Sequence, residues 1–175
     1  MRLVTTLFIF ASGIGLVAAG QAPQTDPKLQ AQLKQLFPSA VAFSPKEGDT
    51  PHFTAFINDG KGQRTPLGFA FWTTELEPLE RGYDGPIKML VGMDTKGVLT
   101  GIIVVQHHEP YGSFSIDPPE FAAQFRGKSI RDPFKVGSDV DAVSRASISV
   151  TSASRAIRNS ARRIARELLT PDAVK

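Results

Sequence analysis

Residues 151–169 read TSASRAIRNSARRIARELL, and this stretch organises the rest of the 175-residue chain. Its apolar side chains fall at Ala153, Ile157, Ala161, Ile164, Ala165 and Leu168. That spacing is the 3.6-residue period of an amphipathic helix. Arg155, Arg158, Arg162 and Arg166 trace a second line at the same spacing, and Pro171 marks the far end. One side of this helix is expected to pack on another layer. The other reads as a solvated row of arginines whose stems cover neighbouring apolar surface.

The partner layer is legible upstream. Residues 28–37 have helical spacing, with Leu29, Leu33 and Leu36 on one face. Short strand-like stretches follow at 41–44, 52–57, 67–73, 87–93 and 98–106. Asn58-Asp59-Gly60 is a turn signal, and Asp94-Thr95-Lys96-Gly97 is a hairpin loop. Residues 120–125 suggest a short helix entered through Pro118 and Pro119. Trp72 reads as a core residue. Strands followed by a packing helix give an α+β class: a small, mainly antiparallel sheet packed by a long C-terminal helix. The expected organisation is a signal peptide over 1–19, an N-terminal segment with a short helix over 20–40, and one domain over 41–170.

Composition narrows the chemistry. Hydrophobic residues make up 41% and charged residues 21%, so the chain can bury a core. It has no cysteine, which excludes disulfides, cysteine-ligated zinc, iron–sulfur clusters and c-type haem attachment. The three histidines are His52, His107 and His108. Adjacent residues in a strand face opposite ways, so His107 and His108 are poor joint ligands, and no metal site is expected. Redox work by such a chain needs a bound organic cofactor.

The first residues have the layout of an export signal. Arg2 supplies a minimal positive region, 3–19 is apolar or small, and Ala18-Ala19-Gly20 offers a cleavage site after Ala19. The expected location is periplasmic or otherwise exported, an uncleaved N-terminal anchor being the alternative. No second segment is long enough to span a bilayer. The formal net charge is +3, and the arginine row is not interleaved with aromatics as a single-strand binder requires. With an export signal, nucleic acid is not an expected partner. An acidic protein or anionic lipid is a better use of the charge.

The chemistry concentrates just before the basic helix. Residues 141–149 read DAVSRASIS, setting Ser144, Ser147, Ser149 and Arg145 beside the start of a helix. Helix starts carry about half a positive charge and free amides, which suits a phosphate. Taken alone, the serines and Thr151 are more simply read as helix caps.

Two stretches in order carry a resemblance. DAVSRASISVTSASR over 141–155 resembles the flavinylation motif of the FMN-binding domain family. That family includes flavin-carrying subunits of sodium-pumping quinone reductase and of the Rnf complex, and the exported domains of NosR/NirI-type proteins. Its usual motif is Ser-Gly-Ala-Thr. Ser144-Arg145-Ala146-Ser147 occupies those places here, with arginine second as in the NosR/NirI branch. The second stretch runs from RGYDGPI at 81–87 through the hairpin to VVQHHEP at 104–110. It is similar to the family's glycine–tyrosine loop, hairpin and His-Glu-Pro turn. The resemblance covers roughly residues 68–169.

The resemblance implies FMN as cofactor. A flavin transferase, using FAD as donor and magnesium, would attach it through its phosphate to the hydroxyl at Ser147. Serine keeps threonine's nucleophilic oxygen and lacks its methyl. Ser144, Arg145, Ala146 and Ile148 would complete the motif's part of the site. Tyr83, Gly85 and Pro86, with His108, Glu109 and Pro110, would supply the loops around the ring, Gly85 allowing close backbone approach. The implied role is an electron-transfer module for a membrane-linked redox protein, with no dedicated catalytic group. The alternative is a non-catalytic module holding FMN or another anion without a covalent bond.

Overall fold

The computed structural model describes residues 26–170. The expected signal over 1–19 and the stop at Pro171 lie outside the described residues. In chain order the elements are α1 (Pro27–Leu36), β1 (Ala42–Phe43), β2 (Phe53–Asn58), β3 (Arg64–Trp72) and α2 (Thr73–Leu76). They continue as β4 (Lys88–Asp94), β5 (Leu99–Gln106), α3 (Gly112–Ser115), α4 (Pro119–Ala123) and α5 (Ser147–Leu168). The strands form one antiparallel sheet in the order β1-β2-β3-β4-β5, which confirms the α+β class.

The two short hairpin turns of this meander, β2–β3 and β4–β5, use the same device. The Asp59 carboxylate accepts the amides of Lys61 and Gln63, each at 2.8 Å. The Asp94 carboxylate accepts those of Lys96 at 2.8 Å and Val98 at 2.9 Å, with Gly97 at φ +78° completing the loop.

Alternation along the strands divides the core in two. Phe69, Phe71, Met89, Val91 and Met93 face α5, meeting Val150, Ala153, Ile157, Ala161 and Ile164. Ala70, Trp72 and Leu90 face the other way, against Leu33, Leu36 and Phe37 of α1 and its end. Trp72 is therefore core, with Lys88 Nζ 4.6 Å from its ring centre. Two glycines make the seat for α1. A Cβ at Gly68 would collide with the Met93 carbonyl and lie 2.7 Å from Phe37 Cε1; one at Gly92 would lie 3.1 Å from Leu36 Cβ.

Helix α5 begins at Ser147, four residues before the apolar periodicity does. The Val150 amide already donates to the Ala146 carbonyl at 3.0 Å. Serine and β-branched residues are weak helix formers, so packing rather than propensity carries this first turn. The N-cap residue is Ala146, and no side chain caps the helix. The simple capping reading of the serines and Thr151 is thus wrong.

The solvated arginine row is also corrected. Arg162 donates from Nε to the Ile130 carbonyl at 2.8 Å and from Nη2 to the Asp132 carbonyl at 2.9 Å. Arg155 holds Glu80 with two bonds, of 2.9 and 2.6 Å. Arg163, off the row, reaches the Leu76 carbonyl at 2.9 Å. Much of this charge holds loops onto the helix. The Arg155 bond holds the Glu80 carboxyl below its ordinary range and raises Arg155 in turn. Burial beside Arg158 and Arg166 pushes Arg162 down. The loop between α4 and α5 has its own staple. Asp139 accepts the amides of Phe134 at 3.1 Å and Lys135 at 2.6 Å, and Nζ of Lys128 at 3.0 Å.

Candidate functional site

The sheet and helix bring the two sequence stretches to one place. A cleft of about 300 Å³ is lined by Tyr83, Tyr111, Arg145, Ala146, Ser147, Ile148 and Ser149. Ser147 is the first residue of α5, and its side chain is exposed. The amides of Ser147, Ile148 and Ser149 belong to the first turn, where a helix has no acceptor of its own for them. Arg145 stands just before them at φ +68°, in the left-handed region. A non-glycine residue there carries strain of order 1–3 kcal/mol. Free amides, the helix dipole, a guanidinium and an exposed hydroxyl therefore share one wall. Tyr83, Tyr111 and Ile148, which are 69%, 43% and 56% exposed, give the cleft its apolar surface. The ring of Phe114 backs that of Tyr111, with centres 5.4 Å apart.

Glu109 lies behind this wall and is 6% exposed. Its carboxylate accepts the Tyr83 amide at 2.9 Å and the Asp84 amide at 3.0 Å. The Ser149 hydroxyl donates to it as well. Burial alone pushes this carboxyl up, but the bonds from Ser149, Asp84 and Tyr83, with His107 nearby, bring it below its ordinary range. The carboxylate sits flat on Gly82, where a Cβ would collide with it.

The remaining expected residues stand outside the lining. Gly85 closes its turn at φ +109°, and the Gly82 amide donates to its carbonyl at 2.7 Å. Gly85 thus has a conformational reason of its own. Pro86, His108 and Pro110 are exposed on the flanking turns, and Ser144 is exposed just before the cleft. His107 is committed elsewhere: its Nε2 meets Asp117 Oδ1 at 2.7 Å, and its Nδ1 accepts the Glu109 amide at 3.0 Å. Tyr111 was not among the expected site residues, and Ser149 was expected only as one of the hydroxyls at the helix start. Tyr111 directly follows the His-Glu-Pro turn, and Ser149 lies two residues beyond Ser147, so adjacency was their available signal.

A larger groove, of about 430 Å³, crosses β5 between Leu36 and Arg126. Of the two resembling stretches it takes only Val104 and the β5 residues before it, and none of the expected site residues lines it. The smaller cleft is the better site because the anion-binding groups converge there.

Comparison with known proteins covers the segment that holds this cleft. The model of the FMN-binding domain matches residues 82–162, from the turn under Glu109 to the middle of α5. Residues 82–162 belong to the FMN-binding domain family. The cofactor is FMN. The chain is 28% identical over 162 residues to the Regulatory protein NosR of Pseudomonas aeruginosa, covering 87% of this chain and 22% of NosR. It is 29% identical over 130 residues to the G subunit of the ion-translocating oxidoreductase complex of Pectobacterium atrosepticum, covering 63% of this chain and 59% of that relative. It thus spans about a fifth and about three-fifths of these relatives.

The FMN-binding domain offers chemistry that fits its cofactor. The start of α5 and Arg145 suit the phosphate, and the tyrosines and Ile148 suit an aromatic ring. The cleft, of about 300 Å³, is at the small end of the roughly 300–1,000 Å³ usual for ligand sites, so it has room for part of FMN. The family's usual motif has glycine at the position of Arg145. The left-handed φ of +68° explains that preference, since glycine enters this region without penalty.

Proposed function

We propose that this chain is an exported flavoprotein that carries FMN at the start of α5 and passes electrons to a membrane-linked redox partner. The observation that carries the reading is the position of Ser147. Its exposed hydroxyl opens the first turn of α5, on the same wall as Arg145 and facing the tyrosine-lined cleft. Attachment joins Ser147 Oγ to the FMN phosphate; the hydroxyl proton is lost and AMP leaves the FAD donor. Ser149 is a poorer acceptor because it is 3% exposed and already donates to Glu109.

The electron-transfer role rests on two features. The described site offers an open edge for the ring. The relatives include a protein named as part of an ion-translocating oxidoreductase complex. No helix among the described residues is long and apolar enough to cross a membrane. Export rests on the signal-like pattern of residues 1–19.

The test is co-expression with a flavin transferase, then denaturation and in-gel flavin fluorescence. Wild type and Ser149→Ala should fluoresce, and Ser147→Ala should not. Fluorescence persisting in Ser147→Ala would move the bond to another hydroxyl. Flavin released on denaturation would give the non-covalent module instead. A signal still attached to the chain recovered outside the cytoplasm would point to an anchor.

A further inference from the structure

We infer that Glu109 is a positioning residue for the FMN site: it registers the tyrosine loop against the first turn of α5 without lining the cleft. This rests on the reading of the cleft as the FMN site. Three separate segments meet on one carboxylate. It takes two amides from the loop of Tyr83 and Asp84 and the hydroxyl of Ser149 from α5, and it belongs to the turn after β5. Ser149 is 40 residues away in sequence and Tyr83 is 26.

The opposite walls of the cleft are those same segments. Tyr83 stands on one, and Arg145 to Ser149 form the other. The distance from the aromatic wall to the anion-binding turn is therefore set through Glu109. An isosteric amide cannot reproduce the arrangement. The Tyr83 and Asp84 amides bond to separate carboxylate oxygens and can only donate, whereas a carboxamide offers one oxygen and two hydrogens. At least one of the bonds must be replaced by a clash of donors. Gly82 leaves no room for the group to retreat, because the carboxylate already rests on its backbone. Charge adds a second effect. A buried carboxylate just behind the cleft opposes the gain of negative charge by anything bound in it.

The experiment compares Glu109→Gln with Asp139→Asn. Asp139 is a similar staple of two amides and a lysine, and it lines no part of the cleft. FMN is measured by titration of apoprotein and by flavin content after co-expression with a transferase. Glu109→Gln should lower FMN affinity at least tenfold and move the midpoint potential of bound FMN to more positive values. Asp139→Asn should lower the Tm comparably yet keep affinity within threefold and leave the potential in place. Ser149→Ala keeps the two amide bonds and removes the third, so it remains informative if Glu109→Gln does not fold. It should weaken binding, and the double variant should bind no worse than Glu109→Gln alone. Affinity within threefold of wild type in both Glu109→Gln and Ser149→Ala would overturn the inference. So would losses that track Tm equally in the Glu109 and Asp139 variants. Wild type without FMN by either route would overturn the site itself.

Discussion

Replacing Arg162 with alanine tests whether the arginines of α5 hold the fold or face a partner. Arg162 is half-buried and donates two bonds to main-chain carbonyls of the 130–132 turn. Hydrogen bonds from a charged donor contribute about 1.5–3 kcal/mol each, and the turn regains water at part of its surface. A loss of about 2–3 kcal/mol is expected for the pair, part of it from the two carbonyls left without a donor. For a domain of this size that is roughly 6–10 °C in Tm. Arg166→Ala is the comparison. Arg166 is exposed and makes no hydrogen bond among the described residues, so its removal should stay within about 0.5 kcal/mol. Urea unfolding monitored by Trp72 fluorescence gives both values. Equal effects at the two positions would refute the reasoning, and the row would revert to a surface whose charges are interchangeable.

Four further outcomes follow from the geometry. Gly68→Ala should cost about 2–3 kcal/mol in urea unfolding, because its Cβ meets the Met93 carbonyl and the Phe37 ring, and α1 must lift from the sheet. Gly85→Ala should cost roughly 1–2 kcal/mol from backbone strain at φ +109°, although its surroundings leave the Cβ room. Arg145→Gly should leave Tm unchanged or slightly higher, as strain at φ +68° is relieved, while FMN affinity falls; a parallel loss of both would contradict this division. The carboxyl of Glu109 is held below its unfolded value, so its contribution is complete above that value and is lost as pH falls through the folded one. Acid unfolding of Glu109→Gln should accordingly show a shallower pH dependence below about pH 5 than wild type.

Much of the fold was legible because hydrophobic period and turn chemistry agree in this chain. The Asp94–Gly97 loop lies between two apolar β-branched runs, and β4 and β5 follow. Where they conflicted, boundaries moved. Strand β3 starts at Arg64, ahead of the expected 67, despite Pro66. Pro66 pairs only with β2, because β4 reaches no further than Gly68, so its missing amide breaks no ladder on that side. The start of α5 was hidden by residues that favour other conformations. The site was half legible. The motif placed Ser147 and Arg145, but a sequence cannot show that Glu109 turns inward to bind main-chain amides. Nor could it show that the arginines bend back to carbonyls of the 130–132 turn, since those acceptors carry no residue-type signal.

Each strand of the sheet lies beside its neighbour in sequence, so every strand pairing is local and closes at modest loop-entropy cost. The cleft is different. One of its walls is the start of α5, and that wall meets the tyrosine loop only through contacts tens of residues apart. The cleft therefore exists only where α5 is docked on the sheet. With the proposed site, capture of flavin becomes a checkpoint on completed folding: a chain that holds its cofactor there has already docked α5.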